Sequence, residues 1–287
     1  MNRPAVNELD RVCVVLVTYR SSHLVDAMAR NLAQFNHIVV VDNDSGDATL
    51  DLLQARLSKG LYIQNKENVG FGAATNIAMR KTTSEFALLL NPDCDISADN
   101  VRLLTQAADT FSSAMLLGPR ILNLRGATQI SFDWNHSSKV RPRIDCTPEG
   151  PTSTWWLSGC CLLVRVAPFQ AMGGFDERFF MYYEEADIGR RAAACGWTCV
   201  YLPQALAHHQ GDASSRPSWR VEHIKLRHYF RSKRLFLEKH EGLSSPWARQ
   251  IFQVMIAILM VAVLSATLQV RRARRWIAKA HSLIGGP

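Results

Sequence analysis

Val12-Cys-Val-Val-Leu-Val-Thr18, Ile38-Val-Val-Val-Asp42 and Phe86-Ala-Leu-Leu-Leu-Asn-Pro-Asp-Cys-Asp95 decide the fold. Each opens on an unbroken apolar run and closes on polar residues. Apolar runs without polar alternation read as strands buried on both faces, the mark of a parallel sheet. Working outward, Leu24–Phe35 reads as a helix capped by Ser22, Ala48–Leu57 as a second helix, Leu61–Gln64 as a short strand and Phe71–Arg80 as a third helix. Strands alternating with helices of about ten residues predict an open, doubly wound, mainly parallel α/β sheet with right-handed crossovers. The second half is less regular. Residues 123–153 lack periodicity and predict a long loop or lid, Trp156–Val164 a further strand, and Ala186–Cys195 a helix stopped by Gly196.

At 287 residues the chain holds one large domain, or one domain with an appendage. Its 47% hydrophobic and 20% charged residues exclude a disordered chain. Seven scattered cysteines are no disulfide framework and point to a reducing compartment. Charge is unevenly placed: residues 216–287 carry 14 Lys and Arg against 3 Asp and Glu, and the preceding 215 residues carry 19 against 22. No nucleic-acid-reading motif accompanies the basic tail, so anionic lipid or phosphate is the expected partner, not nucleic acid. Between Arg249 and Arg271 lies an uncharged run, Gln250–Val270, long enough for a membrane helix, although Gln253, Ser265, Thr267 and Gln269 also suit an interfacial or protein-packed helix. The polar Met1–Arg11 stretch does not read as a secretory signal. The expected organisation is a main domain over residues 1–242 and a membrane-associating hydrophobic helix with a basic tail over 243–287. The main body is expected at the cytoplasmic face of the inner membrane, peripheral or anchored by a single helix.

In open α/β sheets ligands bind beyond the carboxyl ends of the strands, which directs attention to the polar residues there. Asp42 ends the second strand, where a carboxylate can accept from the imide N–H of a uracil or thymine. In Asn91-Pro-Asp-Cys-Asp95, extended backbone would put Asp93 and Asp95 on one side. Paired hard oxygen ligands suit Mg²⁺ or Mn²⁺ carrying a diphosphate. Gly70-Phe-Gly72 does not follow the first strand, and Thr75 replaces the third glycine of a dinucleotide fingerprint. The small residues still let backbone approach a nucleotide, with Asn68 and Asn76 offering amides.

Taken in order, Val17-Thr-Tyr19, Val41-Asp-Asn-Asp-Ser45, Asn68-Val-Gly-Phe-Gly-Ala-Ala-Thr-Asn76, Leu90-Asn-Pro-Asp-Cys-Asp95 and the segment from Gly173 to Arg190 resemble the inverting glycosyltransferases of family 2, which have a GT-A fold. The resemblance runs from about Val12 to Gly242. Gly159, Phe175-Asp-Glu-Arg-Phe-Phe180 and His209-Gln-Gly-Asp-Ala-Ser214 narrow it to rhamnosyltransferase-type enzymes of lipid-linked polysaccharide synthesis.

The resemblance implies a nucleotide-sugar donor bound by Thr18, Tyr19, Asp42, Asn43, Asn68, Gly70, Asn76 and Asp93. It implies Asp95 as principal metal ligand, with Asp93 and His209 beside it, and Mg²⁺ or Mn²⁺ as cofactor. Glu185 becomes the catalytic base, on a side chain one methylene longer than the family's usual Asp. Glu184, Asp187 and Tyr183 become acceptor-binding residues, the acceptor being a polyprenyl-diphosphate-linked glycan. The donor suggested is deoxythymidine diphosphate-rhamnose; a uridine diphosphate sugar presents the same imide edge. A catalytically silent, membrane-tethered nucleotide-binding scaffold could keep Asp42 and the basic tail, but would not need Asp93, Asp95 and Glu185 together.

Overall fold

The computed structural model describes residues 8–133, 148–211, 218–242, 247–266 and 269–284. Residues 134–147 of the expected lid, 212–214 of the motif beginning at His209, and 243–246 at the expected domain boundary lie outside them. Two compact units are present. One comprises Met1–Glu177 and Glu185–Ser215, the other Arg178–Glu184 and Arg216–Pro287. The helix ending at Glu241 thus falls with the C-terminal helices.

The first unit is built on strands β1 (Val12–Thr18), β2 (His37–Asp42), β3 (Leu61–Gln64), β4 (Phe86–Leu90), β5 (Cys94–Ile96) and β6 (Ala114–Leu122), then β7 (Phe132–Asp133), β8 (Thr152–Thr154), β9 (Trp156–Leu157), β10 (Cys161–Arg165) and β11 (Thr198–His209). The main sheet runs β3-β2-β1-β4-β10-β6-β11-β5, with β8 also on β11. Strands β3, β2, β1 and β4 are parallel, as are β6 and β11, while β10 runs antiparallel between β4 and β6. Because β2 and β4 flank β1 on opposite sides, the chain reverses its direction of winding there, and a crevice opens at the carboxyl ends of these strands.

Burial follows the period of two. Val12, Val14 and Leu16 join one apolar cluster with residues of α1 (Val25–Leu32), α2 (Thr49–Arg56) and α4 (Ala98–Thr110). Cys13 and Val15 join the opposite cluster with α3 (Phe71–Met79), α5 (Val166–Ala171) and α6 (Glu184–Ala194). Helices on both faces explain why these strands lack polar alternation. The six described cysteines, Cys13, Cys94, Cys160, Cys161, Cys195 and Cys199, are free thiols.

Local chemistry changes some boundaries. Ser22 opens a 3₁₀ turn, Ser22–Leu24, without capping α1. Asp47 supplies the Asx bond at α2, its Oδ1 accepting from Thr49 N at 3.0 Å. Trp156–Val164 is divided into β9 and β10 by Ser158, Gly159 and Cys160, whose backbone serves the site below.

The second unit contains α7 (Trp219–Glu241), α8 (Trp247–Ala266) and α9 (Val270–Ile284) with the segment Arg178–Glu184. Ser218 Oγ accepts from Val221 N to cap α7, and Gly242, at φ +62°, closes it. His228 stacks on Phe180, Ser232 Oγ donates to Met181 O at 2.8 Å, and His223 meets His281 at 3.0 Å. The uncharged run Gln250–Val270 is not one helix: α8 ends at Ala266 and Val270 opens α9. The helical stretch after the polar pair Arg249-Gln250 is then about 24 Å long at 1.5 Å per residue, against an apolar bilayer thickness near 30 Å. Among the described residues no helix is long and apolar enough to cross a membrane, which removes support for the single-helix anchor.

Leu88 is fully buried at the centre of β4. Leu88→Ala is expected to cost about 2–5 kcal/mol, read as a lower urea midpoint at unchanged m-value.

Candidate active site

The crevice begins where β1 and β2 end in register, Thr18 beside Asp42. Asp42 is buried, and its carboxylate accepts from Thr18 Oγ1 at 2.9 Å, from Ser45 N at 2.9 Å and from Ser45 Oγ. A carboxylate has about four acceptor directions, so three bonds fix its orientation and leave capacity for a base N–H. Ser45 also accepts from Arg20 N at 2.8 Å, and Arg20, itself at φ +54°, lays its guanidinium 5.1 Å from the centre of the exposed Tyr19 ring.

Asn43 ties the next loop down. Its Nδ2 donates to Asn68 Oδ1 at 2.8 Å and to Gly70 O at 3.2 Å, while its Oδ1 accepts from Asn65 Nδ2 and Val69 N. Asn68 Oδ1 accepts in turn from Gly70 N at 3.0 Å. Gly70 precedes α3 at φ +88°, backbone that a side chain would strain. Asn76 points elsewhere: its Nδ2 donates to Phe175 O at 2.8 Å and Glu177 Oε1 at 3.1 Å, and its Oδ1 accepts from Phe175 N at 2.9 Å. Both amide hydrogens of Asn76, expected to bind donor, are used within the protein.

At the end of β4 the chain turns, Cys94 N donating to Asn91 O at 3.0 Å. Asp93 therefore lies in a turn and not on an extended strand, and the premise that alternation alone pairs it with Asp95 fails. Asp93 is buried, with Oδ1 3.3 Å from His209 Nε2, whereas Asp95 is exposed on β5. Antiparallel pairing of β11 with β5 sets His209 opposite Cys94 and His208 opposite Asp95. Gln129 orients the His209 ring: its Nε2 donates to His209 O at 3.0 Å, so its Oε1 is the acceptor 3.1 Å from Nδ1.

Strand β10 brings the remaining carboxylate. Running antiparallel to β4, it starts where β4 ends, and Asn91 N donates to Cys160 O at 2.9 Å. The adjacent Gly159 N donates to Glu185 Oε1 at 3.0 Å. A Cβ on Gly159 would come 2.7 Å from that oxygen, so the close approach requires glycine. Burial pushes the Glu185 carboxyl above the ordinary glutamate range, opposed by backbone hydrogen bonds at Glu185 and Gly159.

Asp187, expected to meet acceptor, is wholly buried and paired with Arg191 Nε at 2.8 Å. Glu184 and Tyr183 fall in the second unit. Tyr183 packs there against Tyr229 and Phe236, its hydroxyl 3.5 Å from that of Tyr229, and burial raises its pKa.

Among the described residues no three His, Cys, Asp or Glu side chains gather as a cation cage, so Asp93, Asp95 and His209 do not form one together. The donor set nevertheless fits Mg²⁺ or Mn²⁺, which takes one or two carboxylates and completes its shell with water and phosphate oxygen. Asp95 offers an exposed hard oxygen on β5.

An α/β sheet with carboxylates at the carboxyl ends of β2 and β4, and a glutamate-bearing helix beside β10, is the architecture of GT-A glycosyltransferases. Residues 13–173 match glycosyl transferase family 2, and the chain belongs to that family, with rhamnosyltransferase-like character. It is 28% identical over 269 residues to the N-acetylglucosaminyl-diphospho-decaprenol L-rhamnosyltransferase of Mycobacterium tuberculosis, covering 81% of this chain and 86% of that protein. It is 23% identical over 227 residues to the rhamnosyltransferase WbbL of Escherichia coli, covering 71% and 85%. Among solved structures, the mannosyltransferase PcManGT of Pyrobaculum calidifontis, in complex with GDP-Man and Mn²⁺, superposes with a TM-score of 0.59 at 15% identity, over 96% of this chain and 85% of that one. TarS 1-349 of S. aureus, in complex with UDP, gives a TM-score of 0.54 at 16% identity, over 95% and 90%.

Ser45, Arg20, Gln129 and Arg191 were not singled out from the sequence. Ser45, three residues after Asp42, carries a local signal, since Asp side chains readily accept from backbone a few residues on. Gln129 carries none, because its partner lies 80 residues away, and Arg191 carries only its i, i+4 spacing from Asp187, its other partners being backbone carbonyls.

Gly159→Ala is expected to displace Glu185 and lower kcat by about 10- to 100-fold, with little change in thermal midpoint. Steady-state kinetics beside a melting curve checks this.

Proposed function

We propose that this protein is an inverting glycosyltransferase that moves rhamnose from deoxythymidine diphosphate-rhamnose to a polyprenyl-diphosphate-linked glycan, in cell-surface polysaccharide biosynthesis. The observation that carries the reaction class is Glu185, held by Gly159 N beside the carboxyl end of β4 and its acidic loop. The sugar and the lipid-linked acceptor rest on the relatives named above.

Asp42 accepts the imide N–H of the donor's pyrimidine through its remaining acceptor direction. Asn43, Asn68 and Gly70 hold the loop beneath the nucleoside, and Asp95 would hold Mg²⁺ or Mn²⁺. When bound, that cation neutralises charge growing on the departing diphosphate. Glu185 takes the proton of the acceptor hydroxyl as its oxygen attacks the anomeric carbon from the face opposite the leaving group, which inverts the configuration. A carboxyl with a raised pKa is a better proton acceptor near neutrality than an ordinary glutamate.

Glu185→Gln is expected to lower kcat by about 10²–10⁴-fold, roughly 3–5 kcal/mol, with donor affinity kept. Wild-type kcat is expected to rise with pH along a limb above the usual glutamate value of about 4.3, because only the ionised carboxylate accepts a proton. A panel of nucleotide sugars assayed with and without Mg²⁺ or Mn²⁺ tests the donor. Retention of more than about a tenth of kcat in Glu185→Gln would remove the assigned base.

The site of action proposed is the cytoplasmic face of the inner membrane, reached peripherally. On α8, Met255, Ile258 and Leu259 are each at least 60% exposed and share one helical stripe. In the same unit α9 exposes Arg272, Arg274 and Arg275. An apolar stripe with neighbouring cations matches the acyl boundary and headgroups of an anionic bilayer. Sedimentation with phosphatidylglycerol vesicles, but not with phosphatidylcholine vesicles at moderate salt, is the expected result, reduced several-fold in Met255→Asp/Ile258→Asp. Equal binding of both proteins would exclude this stripe.

A further inference from the structure

One hydrogen bond from Gly159 does not fix Glu185 unless the helix beneath it is held. Arg191, further along α6, donates from each of its three nitrogens: Nε to Asp187 Oδ2 at 2.8 Å, Nη1 to Met172 O at 3.0 Å, and Nη2 to Gly174 O. A planar guanidinium is suited to this, since its fork meets three acceptors at fixed angles. The two carbonyls belong to the turn after α5, where Gly173 and Gly174 have φ of +79° and +71°.

Asn76 of α3 holds the other side of this turn through its two-way bond with the Phe175 backbone. The fit is tight, because a Cβ on Gly174 would collide with Asn76 Oδ1. Helix α3 is tied at its start to the donor-side loop, Gly70 O accepting from Asn43 Nδ2. A continuous set of polar contacts therefore runs from the loop beside Asp42, along α3, through the turn, to Arg191 and the helix bearing Glu185. All of it lies within one compact unit.

We propose that Arg191, Asp187 and Asn76 are positioning residues that set Glu185 against the donor-side helix, and that neither Asp187 nor Asn76 contacts donor or acceptor. The proposal rests on Glu185 as the base. It makes the relative placement of base and donor a property of one hydrogen-bonded frame.

The test is a pair of double-mutant cycles in the full chain, Arg191→Lys and Asn76→Asp each with Glu185→Gln. Arg191→Lys keeps the charge but loses the planar fork that spans these separated acceptors. Asn76→Asp keeps the shape but sets a carboxylate oxygen against Phe175 O. Each alone is expected to lower kcat by about 10- to 100-fold with donor KM within about twofold, since misplacement by about 1 Å costs on that order. In Glu185→Gln neither should lower kcat further, because the group they position is already disabled. The same fractional loss in both backgrounds, or a raised KM at unchanged kcat, overturns the proposal and returns these residues to general stability or ligand contact. Wild-type kcat in Glu185→Gln alone would instead overturn the base, and the positioning role with it. Melting curves accompany each variant, and Asn76→Asp, the smaller change, decides the outcome if Arg191→Lys fails to fold.

Discussion

Strand β10 runs the wrong way for a parallel sheet, and the site depends on it. A parallel neighbour of β4 would begin at the far edge of the sheet. Because β10 is antiparallel, its first residues meet the last residues of β4, and Cys160 O accepts from Asn91 N. Gly159 is thereby brought to the loop bearing Asp93 and Asp95, and its N–H is free of the sheet ladder to donate to Glu185. The same loop is held from the other side by β11, which pairs antiparallel with β5 and sets His209 beside Asp93.

Around this junction, buried polar side chains divide by what they satisfy. Asn43, Asn68 and Asn76 spend most of their hydrogen-bonding capacity on backbone of loops that must be shaped but cannot join the sheet. An unsatisfied buried amide costs about 1–3 kcal/mol, so an asparagine that supplies both a donor and an acceptor is an economical way to fix such a loop. Asp42 is held by Thr18 and Ser45, and Asp187 by Arg191, yet only Asp42 stands at the end of a strand facing the crevice.

The apolar runs made the first half of the fold legible. Phe86–Leu90 agrees residue for residue with the strand found, because a strand buried on both faces has no polar position to blur its ends, and Leu61–Gln64 agrees as well although it is an edge strand exposed at both ends. Helix α4 and strand β6 went unread, although α4 has a capping serine, Ser97, whose Oγ accepts from Asn100 N. The division of Trp156–Val164 could not be read either, since its cause is a contact with Glu185, 26 residues away. Compact units were equally hidden: Arg178–Glu184 leaves the first unit and joins α7 through aromatic and hydroxyl contacts that have no periodicity.

By itself the sequence determined the alternating α/β framework, the acidic residues at the strand ends and the separation of charge toward the C-terminus. These follow from burial and composition, which act residue by residue along the chain. Only the tertiary structure decided which polar residues face the crevice and which hold the frame, because a side chain's role is set by the partner that satisfies it. For Asn76 and Arg191 those partners are backbone atoms of the turn at 172–175, and a backbone carbonyl leaves no trace in the identity of the residue that bears it.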